Sequence, residues 1–251
     1  MINPLFQPIG LPNLGNTCFM NATLQSLLTV RTFGVGTPFD SFLQTYRQGK
    51  PNPQLARDMV IQKHSKYNNF QQHDAHEWMH ALFDCIGDKH LTMFEGKFKV
   101  SVQFPCGHCN EHHEPFTSVS LPISASVPQA IQHLLASCKV QSTCDTCHQY
   151  QDAIKHMHIS HHPHYLIVHW KRFRNNGTKI ETRIPPMLND YKLCACINHC
   201  GSHFGGHYTS CCRYGHTFYM CNDRSVLQIE QRHLEKAAEA AYLLLYEKKT
   251  T

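Results

Sequence analysis

Asn13-Leu14-Gly15-Asn16-Thr17-Cys18-Phe19-Met20-Asn21 sets a cysteine behind a turn of glycine and asparagine, just where an apolar pattern of helical spacing begins. Leu24, Leu27 and Leu28 continue that spacing through residues 23–30, so Cys18 is expected at or just before a helix N-terminus. Far downstream, Gly205-Gly206-His207-Tyr208-Thr209 sets a histidine behind two glycines, where backbone can pass close to a ligand. A thiol and an imidazole from distant segments are the parts that nucleophilic thiol chemistry requires. The positive end of the helix dipole and a nearby histidine are both expected to lower the thiol pKa. The plain alternative is a buried structural cysteine and a loop histidine, and these two residues alone leave both readings open.

Bulk properties narrow the classes. The 251 residues suffice for one large domain or two small ones, with core enough to fold without staples. The formal net charge of +5 is spread along the chain with no lysine–arginine run, so no nucleic-acid partner is expected. No apolar run approaches spanning length, and no membrane association is expected. The opening Met1-Ile2-Asn3-Pro4-Leu5-Phe6 lacks a secretory-signal pattern. Cysteines number 13, an odd count with several in Cys-x-x-Cys pairs, which favours metal ligation and a free thiol over a disulfide framework. A reducing compartment, cytoplasmic or nuclear, is the expected setting.

The chain reads as helices first and strands after, an α+β order. A second helix is expected over residues 74–86, with Trp78, Leu82 and Phe83 on one face and Asp74 as its cap. Residues 39–60 read as loop and short helices broken by Pro51 and Pro53. Strands are expected at 94–104, where Phe94, Gly96, Phe98, Val100, Val102 and Phe104 alternate, and at 165–170, 191–197, 208–214 and 241–246. Residues 126–137 read as a helix. The cluster His156, His158, His161, His162 and His164 reads as a solvated strand and turn.

Cys106-Gly107-His108-Cys109 and Cys144-Asp145-Thr146-Cys147 form two Cys-x-x-Cys knuckles separated by strand and helix. Four thiolates so arranged satisfy tetrahedral Zn²⁺ with no open position, a structural site; redox pairs are the alternative. Cys194, Cys196, His199 and Cys200 imitate a second site, but Cys194 and Cys196 are expected on one face of a strand as core thiols.

Taken together, five segments resemble the ubiquitin-specific proteases, papain-like cysteine deubiquitinases of the UCH type 2 class. Residues 10–25 are similar to the family's cysteine box. Gln72-His73-Asp74-Ala75-His76-Glu77-Trp78-Met79 resembles its Gln-Gln-Asp-Ala-x-Glu-Phe-Leu segment, and Leu166-Ile167-Val168-His169-Trp170-Lys171-Arg172-Phe173 its strand ending in Lys-Arg-Phe. His199-Cys200-Gly201, Gly205-Gly206-His207-Tyr208-Thr209 and Asn222-Asp223-Arg224-Ser225-Val226 are similar to its histidine box. Ala241-Tyr242-Leu243-Leu244-Leu245-Tyr246 resembles its closing strand. The resemblance runs in family order from about residue 10 to 247.

It implies one catalytic domain: a helical thumb over about 10–92, fingers with a zinc ribbon over about 93–160, and an antiparallel β palm with the histidine box over about 161–251. It implies Cys18 as nucleophile, His207 as general base and Asn222 as the group that orients the imidazole. Asp223 is the runner-up for that role or a second polar support. Asn13 stands where the family has a side-chain donor to the oxyanion. The chemistry implied is thiolate attack after the C-terminal Gly-Gly of ubiquitin, a thioester acyl-enzyme, and its hydrolysis. Gln72, Asp74, Glu77, Gly205, Gly206 and Tyr208 are the implied substrate contacts, with the two glycines leaving a channel for the tail. Cys106, Cys109, Cys144 and Cys147 are the implied zinc ligands; no catalytic cofactor is implied. Trp78 stands for the usual Phe and His73 for a glutamine. A protease for another ubiquitin-like modifier, or a ubiquitin-binding pseudoenzyme, are the rival readings.

Overall fold

The computed structural model describes residues 7–30, 32–202 and 205–249; Met1–Phe6, read above for a signal pattern, lie outside them. Four helices come first: α1 (Cys18–Leu27), α2 (Asp40–Arg47), α3 (Pro53–Lys63) and α4 (Ala75–Ile86). Pro53 does not break α3 but starts it, because the first helical turn has no partner for the N–H that proline lacks. Asp74 caps α4 as expected, its Oδ1 accepting from the backbone N–H groups of His76 and Glu77 at 2.8 and 2.9 Å.

The remainder contains β1 (Gly96–Gln103), β2 (Cys109–Phe116), β3 (Val119–Pro122), α5 (Val127–Leu135), β4 (Cys138–Thr143), β5 (Tyr150–His161) and β6 (Tyr165–Lys171). There follow β7 (Tyr191–Ser202), β8 (Gly205–Tyr214), β9 (Thr217–Asn222), β10 (Ser225–Ile229), α6 (Gln231–Glu239) and β11 (Leu243–Lys248). They make two sheets. The smaller has the antiparallel order β2-β1-β5-β4; the larger runs β10-β9-β8-β7-β11-β6-β3, with β3 and β6 its parallel pair. The expected α+β class is what the molecule has.

The larger sheet is covered on both faces, which is why its central strands read as continuous apolar runs. Along β11, Leu243 and Leu245 join the core shared with α1–α4, whereas Leu244 and Tyr246 join the core beneath α5 and α6. Every residue of α1 is buried, so the segment carrying Cys18 is held on all sides. Arg172 is sealed beside this sheet, donating to the carbonyl oxygens of Ala241, Ile180, Thr182 and Glu239. A register shift at Leu245–Tyr246 corrects one expectation: Cys194 and Cys196 are both buried, but the bulge turns them into opposite cores.

The strands β2, β3 and β4, the first half of β5, the hairpin β9–β10 and helix α6 were not read from the sequence. The histidines from 156 to 161 lie on β5, where exposed residues alternate with half-buried ones.

Candidate active site

The loop before α1 is organised by one side chain. Asn13 Oδ1 accepts from the backbone N–H of Gly15 at 3.0 Å and of Thr17 at 3.1 Å, and from Thr17 Oγ1 at 3.3 Å. Gly15 and Asn16 take left-handed conformations, with φ of 95° and 55°, that let so tight a loop close. With the carboxamide oxygen so used, its Nδ2 faces the other way and donates to Asp223 Oδ2 at 2.9 Å.

Asp223 belongs to the two-residue loop joining β9 to β10, itself left-handed at φ 48°. Its second oxygen accepts from Asn21 Nδ2 at 2.8 Å, and its carbonyl from the Leu11 N–H at 2.8 Å. Thus Asp223 ties the segment before Cys18 to the far end of the chain. Gly10 permits the approach, since a Cβ there would stand 2.1 Å from the Arg224 carbonyl oxygen. Asn222 points elsewhere: its Oδ1 lies 2.7 Å from His207 Nε2. The neighbours Asn222 and Asp223 therefore have separate partners, imidazole for one and the Asn13–Asn21 pair for the other.

Cys18 heads α1, which packs on β8. Its sulfur is met by the backbone N–H of Tyr208, the residue after His207. The expected drop in thiol pKa is not what the structure has. Burial pushes the Cys18 thiol up, and the Asp223 carboxylate adds to this. The N–H groups of Tyr208, Phe19 and Cys18 itself pull the other way without overcoming burial. The cause is that Cys18 is only 2% exposed, and a thiolate there loses its water.

Of the two glycines, Gly205 lines the cleft described below, while Gly206 is held by packing. A Cβ on Gly206 would meet the Cys200 carbonyl oxygen at 2.3 Å and His199 Nε2 at 2.4 Å, so this glycine is required by contact inside the β7–β8 pair. Gln72 clamps the same residue from the other side: its Nε2 donates to the Gly206 carbonyl at 2.7 Å and its Oε1 accepts from the Gly206 N–H at 2.6 Å.

A cleft of about 490 Å³ runs from this clamp. Of the sequence-derived contact residues, Gln72, Asp74, Glu77, Gly205 and Tyr208 line it, joined by His199, Phe173 and Tyr242. Asp74 spends its second oxygen on the Tyr242 hydroxyl, whose pKa burial and that carboxylate both raise. Glu77 is paired with Lys66 at 2.7 Å on an exposed face. Tyr242 stood in the closing-strand segment but carried no sign of a role; only packing brings it over Asp74.

At the tip of the smaller sheet, the sulfurs of Cys106, Cys144 and Cys147 lie within 4.8 Å of one another. Cys106 Sγ is 3.5 Å from Cys144 Sγ and 3.8 Å from Cys147 Sγ. Sulfurs at about 2.3 Å from a tetrahedral Zn²⁺ are about 3.8 Å apart, so the trio fits a metal site. Cys109 departs from the expected set of four. It opens β2, and its sulfur turns to the Asn110 carbonyl at 3.9 Å.

Residues 9–48 and 34–246 match the family described as "Ubiquitin carboxyl-terminal hydrolase". The chain belongs to that family. It is 26% identical to human ubiquitin carboxyl-terminal hydrolase 2 over 95% of this chain and 54% of the relative. It is 27% identical to ubiquitin carboxyl-terminal hydrolase 23 of Arabidopsis thaliana over 94% of this chain and 35% of the relative. The chain thus spans about half or less of these curated relatives. Among solved structures, its fold is similar to that of the SAGA Ubp8/Sgf11/Sus1/Sgf73 DUB module bound to ubiquitin aldehyde. There the TM-score is 0.79 at 23% identity, covering 97% of this chain and 70% of that one. Among the described residues, no helix is long and apolar enough to cross a membrane.

Proposed function

We propose that this chain is a cysteine deubiquitinase that hydrolyses the peptide or isopeptide bond after the C-terminal Gly-Gly of ubiquitin. The observation that carries the reading is the 2.7 Å contact of His207 with Asn222 one residue from the N–H that meets the Cys18 sulfur, in a chain of this family. Cys18 attacks the carbonyl carbon of the terminal glycine. His207 takes the thiol proton and passes it to the leaving lysine amine, and the acyl-enzyme is a thioester. A water deprotonated by His207 then attacks the thioester and releases the thiol and ubiquitin.

Asn222 orients the imidazole through its carbonyl oxygen. Asp223 is a positioning residue for Asn13, whose amide is its partner, and Asn13 with the backbone N–H of Cys18 receives the oxyanion; losing such a donor costs about 10²–10³ in rate. The raised thiol fits a resting site in which substrate binding completes the Cys18–His207 contact, since catalytic hydrogen bonds often tighten only in the complex. The cleft beside Gln72, Asp74, Glu77, Gly205 and Tyr208 is suited to the basic tail of ubiquitin, with Gly206 holding the strand. The helical segment 10–92 serves as thumb, 93–160 as fingers and 161–251 as palm. In the fingers, Cys106, Cys144 and Cys147 hold a structural Zn²⁺ with Cys109 as fourth ligand, and the free thiols suit a reducing cytoplasmic or nuclear compartment.

Ubiquitin bearing a C-terminal electrophile tests the proposal, with Cys18→Ala alongside. An adduct on the parent alone is expected. Binding without an adduct would favour a pseudoenzyme; neither binding nor adduct, with capture by another Gly-Gly modifier, would move the substrate.

A further inference from the structure

Three donor atoms outside the thiol site converge between α4 and the segment entering β3. His76 and His80, one turn apart on α4, bring their Nε2 atoms to 3.0 Å, and Ser118 Oγ lies 3.0 Å from the first and 2.9 Å from the second. The three atoms form a nearly equilateral triangle. Hydrogen bonds cannot satisfy all of it. A neutral imidazole nitrogen either donates or accepts, never both, so whichever tautomers the two rings take, at most two of the three edges carry a linear hydrogen bond. The third edge then brings two polar atoms to about 3 Å with no hydrogen bond of its own.

A cation above the triangle takes a lone pair from every corner at once, which two hydrogen bonds cannot do. Atoms about 3.0 Å apart lie about 1.7 Å from their common centre, so an ion at the roughly 2.1 Å of a zinc–nitrogen bond sits about 1.2 Å off their plane. The rings are held for this. His169 stacks on His76 with centroids 4.1 Å apart, and His169 Nδ1 is itself fixed by Ser120 Oγ at 2.9 Å. The position is open to water for the remaining ligands, because His80 and Ser118 line a surface cleft that Asp88 and Glu95 also line. We propose that His76, His80 and Ser118 form a second binding site for a divalent ion of the imidazole-seeking kind, Zn²⁺ above all, that ties α4 to the edge strand β3.

This site shares no residue with the cysteine cluster at the tip of the smaller sheet, and it stands whether or not that cluster holds zinc. The test dialyses the whole chain against micromolar free Zn²⁺ and counts bound metal in the parent, His80→Gln and His76→Gln. Each variant is expected to retain one equivalent less than the parent, whatever the thiol cluster contributes to all three. In the parent, long-range ¹H–¹⁵N spectra should show the Nε2 resonances of His76 and His80 moving with added Zn²⁺. Equal metal content in all three proteins, or unmoved Nε2 resonances for this pair in a folded parent, would overturn the proposal and leave an ordinary hydrogen-bonded cluster.

Discussion

Replacing Gly206 with alanine tests whether the residue before His207 is a spacer for substrate or a packing requirement of the strand. The new Cβ would stand 2.3 Å from the Cys200 carbonyl oxygen, and ordinary contact begins at 3.4 Å, so the strands must part by 3.4 − 2.3 = 1.1 Å. His199 is 8% exposed and its ring, at 2.4 Å, blocks a second way out. Gln72 resists the movement through two hydrogen bonds to Gly206. The displacement therefore falls on His207, whose 2.7 Å contact with Asn222 does not survive a shift of that size. A misplacement of about 1 Å costs about 10²-fold in rate, equivalent to about 2.7 kcal/mol of transition-state stabilisation. We expect Gly206→Ala to lower kcat/KM on a ubiquitin fluorogenic ester or amide by about that factor, mainly through kcat, with thermal unfolding checking that the chain remains folded. Activity within about threefold of the parent would refute the packing argument. A loss confined to KM would return the glycine to the substrate channel.

Three further outcomes are expected. Asn222→Ala should reduce kcat by about 10²–10⁴, the range for a mis-set general base, while Asp223→Ala should change the pH profile little and act through Asn13; Asn13→Ala made on top of Asp223→Ala should then add little, and full additivity would separate the two residues. Because burial raises the Cys18 thiol above the ordinary thiol range, its alkylation by iodoacetamide in the resting chain should go on accelerating through the alkaline range, where a preformed thiolate–imidazolium pair would level off well below; a plateau near neutrality would sink that reading. Chelation should remove binding energy of about 10 kcal/mol from the Cys106–Cys144–Cys147 site, so limited proteolysis should cut within residues 93–160 first; an unchanged pattern would count against a structural metal.

Legibility in the sequence followed the strength of local signals. Helices α1 and α4 carry apolar periodicity with start signals beside them, and Asp74 caps α4 as its position suggested. Strands β6 and β11 are apolar runs because helices cover both faces of their sheet. The strand β5 gave no such signal. Its inward face is only half-buried, and the buried residues of its own small core are Phe104, Cys144 and Ala153. Helix α6 buries only Leu234 and Ala238, a stripe too thin to stand out among charges. A bulge, invisible to alternation, sent Cys194 and Cys196 to opposite cores.

The sequence by itself determined the chemical inventory: a thiol at a helix start, a histidine behind two glycines, adjacent Asn222 and Asp223, paired cysteine knuckles, and the α+β order. Those are properties of residue type and local spacing, which the chain carries whether folded or not. Only the tertiary structure decided that Asn222 faces His207 while Asp223 holds Asn13, 210 residues away. It alone decided that Gly206 is demanded by Cys200 and His199, that Cys109 stands apart from three gathered sulfurs, and that burial outweighs the helix dipole at Cys18. Each of these depends on distances of a few ångströms between segments far apart in the chain, and on the water excluded from between them, which no local pattern encodes.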